Sequence, residues 1–385
     1  STFNGGLITT AQSQINIGGT LQTSNDAMSL GDSDTPIVLV ANTTLNTGSA
    51  ALTLNATVNG AYILTLNSTA ATTFVGIIGG SAAPTGINTN AGGTVVFNTT
   101  AITSAGAQLY RENATIGGNI TFTTGDNDIT FSGTLDSVSD TKTLTIVAGS
   151  GDTTFSGTVG GSEALGNTTI GVAGLTASAF KVQGTLAITN SAASEIDGVI
   201  SDGDSAGIIT KAGAGTLTLS GDNTYTGATT VNAGTIAISH ADSLGGTSGA
   251  TTVASGAALS ISGGITVAEP ITISGTGISS EGAIVFTGGN NTYSGAITLG
   301  ATSTIVSSSG AQTISAAING GSGLTITANG NLVVSGAVGG STALSAYAVT
   351  STGSASQTFS ENITTSGNQT YTAAGGIVTS GARTF

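Results

Sequence analysis

Residues 37–81 read IVLVANTTLNTGSAALTLNATVNGAYILTLNSTAATTFVGIIGGS, and residues 297–341 read ITLGATSTIVSSSGAQTISAAINGGSGLTITANGNLVVSGAVGGS. The two stretches align without a gap at an offset of 260. Ile37, Leu39 and Ala41 match Ile297, Leu299 and Ala301, and Leu45 and Leu54 match Ile305 and Ile314. Asn59-Gly60 matches Asn319-Gly320, and Leu64 and Leu66 match Leu324 and Ile326. Phe74, Gly76 and Ile78 match Val334, Gly336 and Val338, and both copies end Gly-Gly-Ser. Composition alone rarely holds such register over 45 residues, so this is an internal repeat. The ending recurs a third time at Phe155-Ser156-Gly157-Thr158-Val159-Gly160-Gly161-Ser162.

Within each copy, apolar and polar residues alternate. Leu324-Thr325-Ile326-Thr327 is one such run; Ile120-Thr121-Phe122-Thr123 and Thr216-Leu217-Thr218-Leu219-Ser220 are others. Period 2 predicts short strands with one buried face. Clusters of Gly, Asn, Asp and Ser separate them, and these residues make turns. A second motif also recurs. Gly221-Asp222-Asn223-Thr224-Tyr225-Thr226-Gly227-Ala228 parallels Gly289-Asn290-Asn291-Thr292-Tyr293-Ser294-Gly295-Ala296. Gly106-Ala107-Gln108-Leu109-Tyr110 and Gly367-Asn368-Gln369-Thr370-Tyr371 are fainter echoes of each other.

A short strand with one apolar face cannot bury that face alone. Coiling the chain stacks each strand on its counterpart and makes a continuous core. The expectation is therefore an all-β fold, a parallel β-helix with roughly three short strands per rung. At ~20–24 residues per rung the chain makes roughly 16–19 rungs, about 80–90 Å if they stack at ~4.8 Å. Residues 1–385 read as one continuous β-solenoid, and Tyr225 and Tyr293 as residues that pack at turns.

Composition narrows the function. Charged residues are 6 % of the chain, against roughly 25 % in ordinary globular proteins. Nineteen acids face five bases, for a net charge of −14. The bases Arg111, Lys142, Lys181, Lys211 and Arg383 are scattered, so nothing resembles a phosphate-binding stripe, and nucleic acid is not an expected partner. No run of 18 apolar residues is present, so no transmembrane helix or direct membrane insertion is expected. Cysteine is absent, which rules out disulfides and thiolate metal sites and fits export. Ser1-Thr2-Phe3-Asn4-Gly5-Gly6 is not a signal peptide, so any export signal is expected to have been removed or to lie upstream.

Candidate chemistry is sparse. The closest carboxylate pairs are Asp126 with Asp128 and Asp202 with Asp204, both in Gly-rich turns where Asp commonly caps its own backbone. Their hard oxygens make them weak calcium candidates, but the tandem Gly-Gly-x-Gly-x-Asp pattern of calcium β-rolls is missing. Asp32 and Asp34 are of the same kind. His240 is the only histidine, so any Ser–His–Asp triad would need it, and no Gly-x-Ser-x-Gly elbow precedes a helix. No catalytic residue and no cofactor is expected, and the chain does not read as an enzyme.

Residues 211–238, KAGAGTLTLSGDNTYTGATTVNAGTIAI, resemble the autotransporter-associated β-strand repeat, and residues 282–300 resemble a partial second copy. Residues 37–81 and 297–341 resemble repeats of large bacterial surface adhesins. The resemblance implies a right-handed parallel β-helix, secretion to the surface of a Gram-negative bacterium, and a stalk or adhesive role. It carries no catalytic residues. Such passengers usually end in an outer-membrane barrel; no aromatic-girdled barrel region lies in this sequence, which leaves the export route open. The expected function is an extracellular structural or adhesive rod or fibre, self-assembling head to tail into filaments as in a biofilm matrix. Its expected partners are further copies end to end, or glycans and proteins of a host or neighbouring cell. The alternatives are an S-layer or sheath protein, and a carbohydrate-binding or carbohydrate-cleaving β-helix.

Overall fold

The computed structural model describes residues 1–9, 13–139, 141–352 and 355–379; Arg383 lies outside the described residues. It is an all-β solenoid of parallel strands making about 17 turns. The short 3-10 turn Ile278–Ser280 is the helical element among the described residues. The chain forms two compact units, residues 1–191 with 202–206, and residues 192–201 with 207–385.

In the first unit, each rung supplies three strand segments. One rung runs through Ile63–Ser68 and Ala71–Phe74 after Val58–Asn59. The next strands add beside these in parallel, Leu64 facing Ile87 and Phe74 facing Phe97. Rung spacing varies from 18 residues, Thr168 opposite Leu186, to 24, Ile120 opposite Leu144. The inward positions stack into columns. Ile37, Val58, Ile78, Ile102, Phe122, Ile146, Ile170 and Ile188 form one such column, every member buried. Each such side chain, fully buried, adds about 1.5–3 kcal/mol. Aromatic rings thicken the middle of this core: Phe74 stacks on Phe97 at 5.4 Å and Phe131 on Phe155 at 5.3 Å.

The second unit repeats the plan. Leu217, Ile236, Leu259, Ile284, Ile305, Ile326 and Val349 form one inward column. Val267, Tyr293, Ile314, Val334 and Phe359 form another. Outside, Thr210, Thr230, Thr252, Thr272 and Thr298 align in a column of hydroxyl side chains.

The repeat read from the sequence is structural down to single bonds. Asn59 Oδ1 accepts the Ser81 and Ala82 amides at 2.9 and 3.2 Å. Asn319 Oδ1 accepts the Ser341 and Thr342 amides at 2.9 and 3.3 Å. Gly60 (φ 123°) and Gly320 (φ 130°) follow them, and a Cβ there would lie 2.4 Å from the Leu39 oxygen or 2.6 Å from the Leu299 oxygen. Only glycine fits such an approach. The faint Gln-x-Tyr echoes match as well. Tyr110 donates to Gln108 Oε1 at 3.0 Å, and Gln108 Nε2 to Ser104 Oγ at 3.0 Å. Tyr371 donates to Gln369 Oε1 at 2.7 Å, and Gln369 Nε2 to Thr365 Oγ1 at 3.3 Å.

Candidate functional site

A solenoid corner exposes backbone amides, and this chain covers many of them with side-chain oxygens from the preceding rung. Asp126 and Asp128 do this work. Asp126 Oδ1 accepts the Ser150 amide and Asp128 Oδ1 the Asp152 amide, each at 2.9 Å. Asp152 Oδ1 accepts the Gly174 amide in turn, at 2.8 Å. Asp126 takes a left-handed φ of 61°, tolerable for a short polar side chain. Asp202 ends the strand Ile200–Asp202, and the Asp204 amide donates to Gln183 Oε1 at 2.9 Å. Asp32 Oδ1 accepts the Asp34 amide at 3.0 Å, a local Asx turn.

One corner differs. In the second unit Asp222, His240 and Asp242 each offer a potential ligand atom, and those atoms lie within 4.8 Å of one another. Both carboxylates are exposed and the imidazole is half-buried. Among the described residues neither carboxylate accepts a hydrogen bond. Other residues fix the corner. Buried Asn223 takes its amide bond to the Asp242 oxygen at 3.2 Å, and its Nδ2 donates to the Ser243 oxygen at 2.7 Å. The buried Ser243 hydroxyl accepts the His240 amide at 3.2 Å, and His240 Nδ1 accepts the Asp242 amide at 3.2 Å. A triad histidine would donate from Nδ1 to a carboxylate and accept from a serine through Nε2; here Nδ1 is an acceptor, and Ser243 bonds the backbone.

Sequence reading missed this cluster because Asp222 and His240 are far apart in the chain. The signal was the rung length. Leu217 faces Ile236 and Leu219 faces Ile238, a step of 19 residues, and that step sets Asp222 over the His240–Asp242 corner.

The second unit also buries charge-capable groups. Lys211 occupies an inward position facing Val231, and its Nζ donates to the oxygens of Ala212, Gly213 and Ala233 at 2.8, 2.9 and 3.1 Å. Burial pulls its pKa down to about 8. Glu269 is 3 % exposed, and burial pushes its carboxyl up to about 8. Tyr225 and Tyr293 are fully buried packing residues; Tyr225 bonds Thr229 Oγ1 at 2.6 Å. Burial, and then the nearby Glu269 carboxyl, raise both phenols. In the first unit Glu112 is buried as well, raised by desolvation although Thr89 hydrogen-bonds it. These groups stand in the core.

Residues 209–238 and 280–301 match the family model described as passenger-associated-transport-repeat, within a few residues of the stretches whose resemblance was noted. No curated protein and no solved structure matches the chain.

Proposed function

We propose that this chain, an autotransporter passenger-type repeat protein, works at the outer surface of a Gram-negative bacterium as a structural and adhesive module. The observation that carries the reading is the match of two passenger repeats lying on stacked parallel rungs. The surface chemistry agrees with it. A net charge of −14 on so few charged residues repels other anionic surfaces weakly and keeps the chain soluble. The outward threonine column from Thr210 to Thr298 suits broad, shallow contact with hydrated polymers such as glycans. Backbone donors and acceptors of a solenoid are left open only along its axis, so addition of further rungs, in the same chain or another copy, is the assembly its hydrogen bonding favours. The cluster at Asp222 needs no role in this reading.

The test is made on intact cells. Antibody labelling and external protease should reach the protein without lysis, and deletion should lower attachment or aggregation. A protein protected until the cells are lysed would end the reading. Electron microscopy of shed material then separates the finer roles: fibres support axial assembly, and a two-dimensional lattice supports an S-layer.

A further inference from the structure

We propose that Asp222, His240 and Asp242 form a binding site for a first-row divalent metal ion of the zinc type, which clamps two successive rungs of the second unit. The donor set is one imidazole nitrogen and two carboxylates. Imidazole favours zinc and its neighbours over calcium and magnesium, which take oxygen ligands. Adjacent ligand atoms on a tetrahedral zinc lie about 3.3 Å apart, given bonds of about 2.0–2.1 Å. Donors now within 4.8 Å need to close by at most about 1.5 Å, which side-chain rotation of exposed aspartates can supply.

Asp222 also departs from its counterpart in the other passenger repeat. Many corner acids and amides cap the next rung, as Asp126, Asp128, Asp152, Asn59 and Asn319 do. In the second passenger repeat the residue aligned with Asp222 is Asn290, and its Oδ1 accepts the Ala311 amide at 3.0 Å. Asp222 has the same place in its repeat and caps nothing. Asn223 and Ser243 hold the corner through their own bonds, so the two carboxylates are not needed to shape it. They stand together as like charges, and among the described residues no ion pair neutralises them. Lys211, the one lysine of this unit, is committed to three backbone oxygens.

The imidazole can supply its lone pair without a change of tautomer. Nδ1 now accepts the Asp242 amide at 3.2 Å, so the proton sits on Nε2. On binding, Nδ1 exchanges that long bond for the ion. Three protein ligands leave a fourth position for water or for a donor from outside the chain. Protons compete with the metal for these ligands, so binding weakens on acidification. The inference stands apart from where the protein works: a cell-surface module without this site, or this site on a protein found elsewhere, are both separable outcomes.

The chain carries a single histidine, which makes the test direct. The full, untagged protein gives one imidazole Cε1–H resonance. Titration with zinc chloride should shift it saturably, and calcium or magnesium at the same concentration should not. Asp222→Asn and Asp242→Asn should each weaken zinc binding by more than the roughly tenfold that even an outer-sphere partner is worth. Because neither carboxylate makes a hydrogen bond, both variants should keep the wild-type circular dichroism and melting temperature in the absence of metal. Zinc should raise the melting temperature of the wild type and not of His240→Ala. An imidazole resonance indifferent to zinc, or a shift unchanged in both aspartate variants, would overturn the proposal.

Discussion

Tyr293 donates its hydroxyl to the main-chain oxygen of Glu269 at 2.7 Å, and Oε2 of that glutamate is left without a partner in the core. Burial without a partner for that oxygen holds the Glu269 carboxyl near pKa 8. An unfolded glutamate releases its proton near 4.5. Between about pH 4.5 and 8 the unfolded chain therefore binds fewer protons than the folded one, and stability falls as pH rises. The facing phenols of Tyr225 and Tyr293 are themselves raised and titrate above this window. We predict that the second unit melts at lower temperature at pH 8 than at pH 5, and that Glu269→Gln flattens this dependence. A slope that persists in Glu269→Gln would assign it to another group.

Lys211 is the opposite case. Its folded pKa of about 8 lies below the ordinary 10.5, so its burial costs stability at neutral pH and the cost fades between about pH 8 and 10.5. Its three bonds to backbone oxygens offset that cost. Lys211→Ala leaves a cavity and removes the donor, and should destabilise the second unit by about 2–4 kcal/mol in urea unfolding. Lys211→Met fills the space and should cost less. Equal losses would mean that the carbonyl bonds, and not the packing, carry the contribution.

Asn59→Ala and Asn319→Ala remove the same pair of amide bonds in two places. Each should cost about 1–2 kcal/mol, and the two losses should agree closely. Hydrogen exchange should show the loosening at residues 81–82 in one variant and 341–342 in the other. Opening spread through the whole chain would contradict a structure in which each rung depends chiefly on its neighbours.

Gly60→Ala should be the more damaging change beside Asn59. The new methyl would sit 2.4 Å from the Leu39 oxygen at a φ of 123°. Both strain and collision act there, so the loss should exceed that of Asn59→Ala by denaturant midpoint. Gly118→Ala, where a Cβ meets nothing within 4 Å, is the matched control and should change little.

Much of this fold is legible in the sequence because a solenoid repeats its rules. The alternation at Leu324-Thr325-Ile326-Thr327 gives the strand, and Asn319-Gly320 gives its corner. The ungapped 260-residue offset carries over to matching hydrogen bonds. Even the faint Gln108/Tyr110 and Gln369/Tyr371 echo corresponds to one bonding pattern. Less visible were the exceptions. Nothing local marks Lys211 or Glu269 as core residues, because inward direction depends on register with the next rung. The Asp222, His240 and Asp242 cluster is invisible to a reader looking for close spacing, since its members meet only through a 19-residue step. Asp126 and Asp128 look like ligands in sequence, yet their oxygens meet backbone amides.

The scarcity of basic residues has a consequence for digestion. A protease that cuts after lysine or arginine has five places to act in 385 residues. Lys211 is sealed in the core, Lys181 lies within the strand Phe180–Val182, and Lys142 is half-buried. Cleavage requires a segment to leave its neighbours and lie extended in the enzyme's cleft, and a rung held on both sides does so rarely. Trypsin-like enzymes should therefore cut this protein slowly.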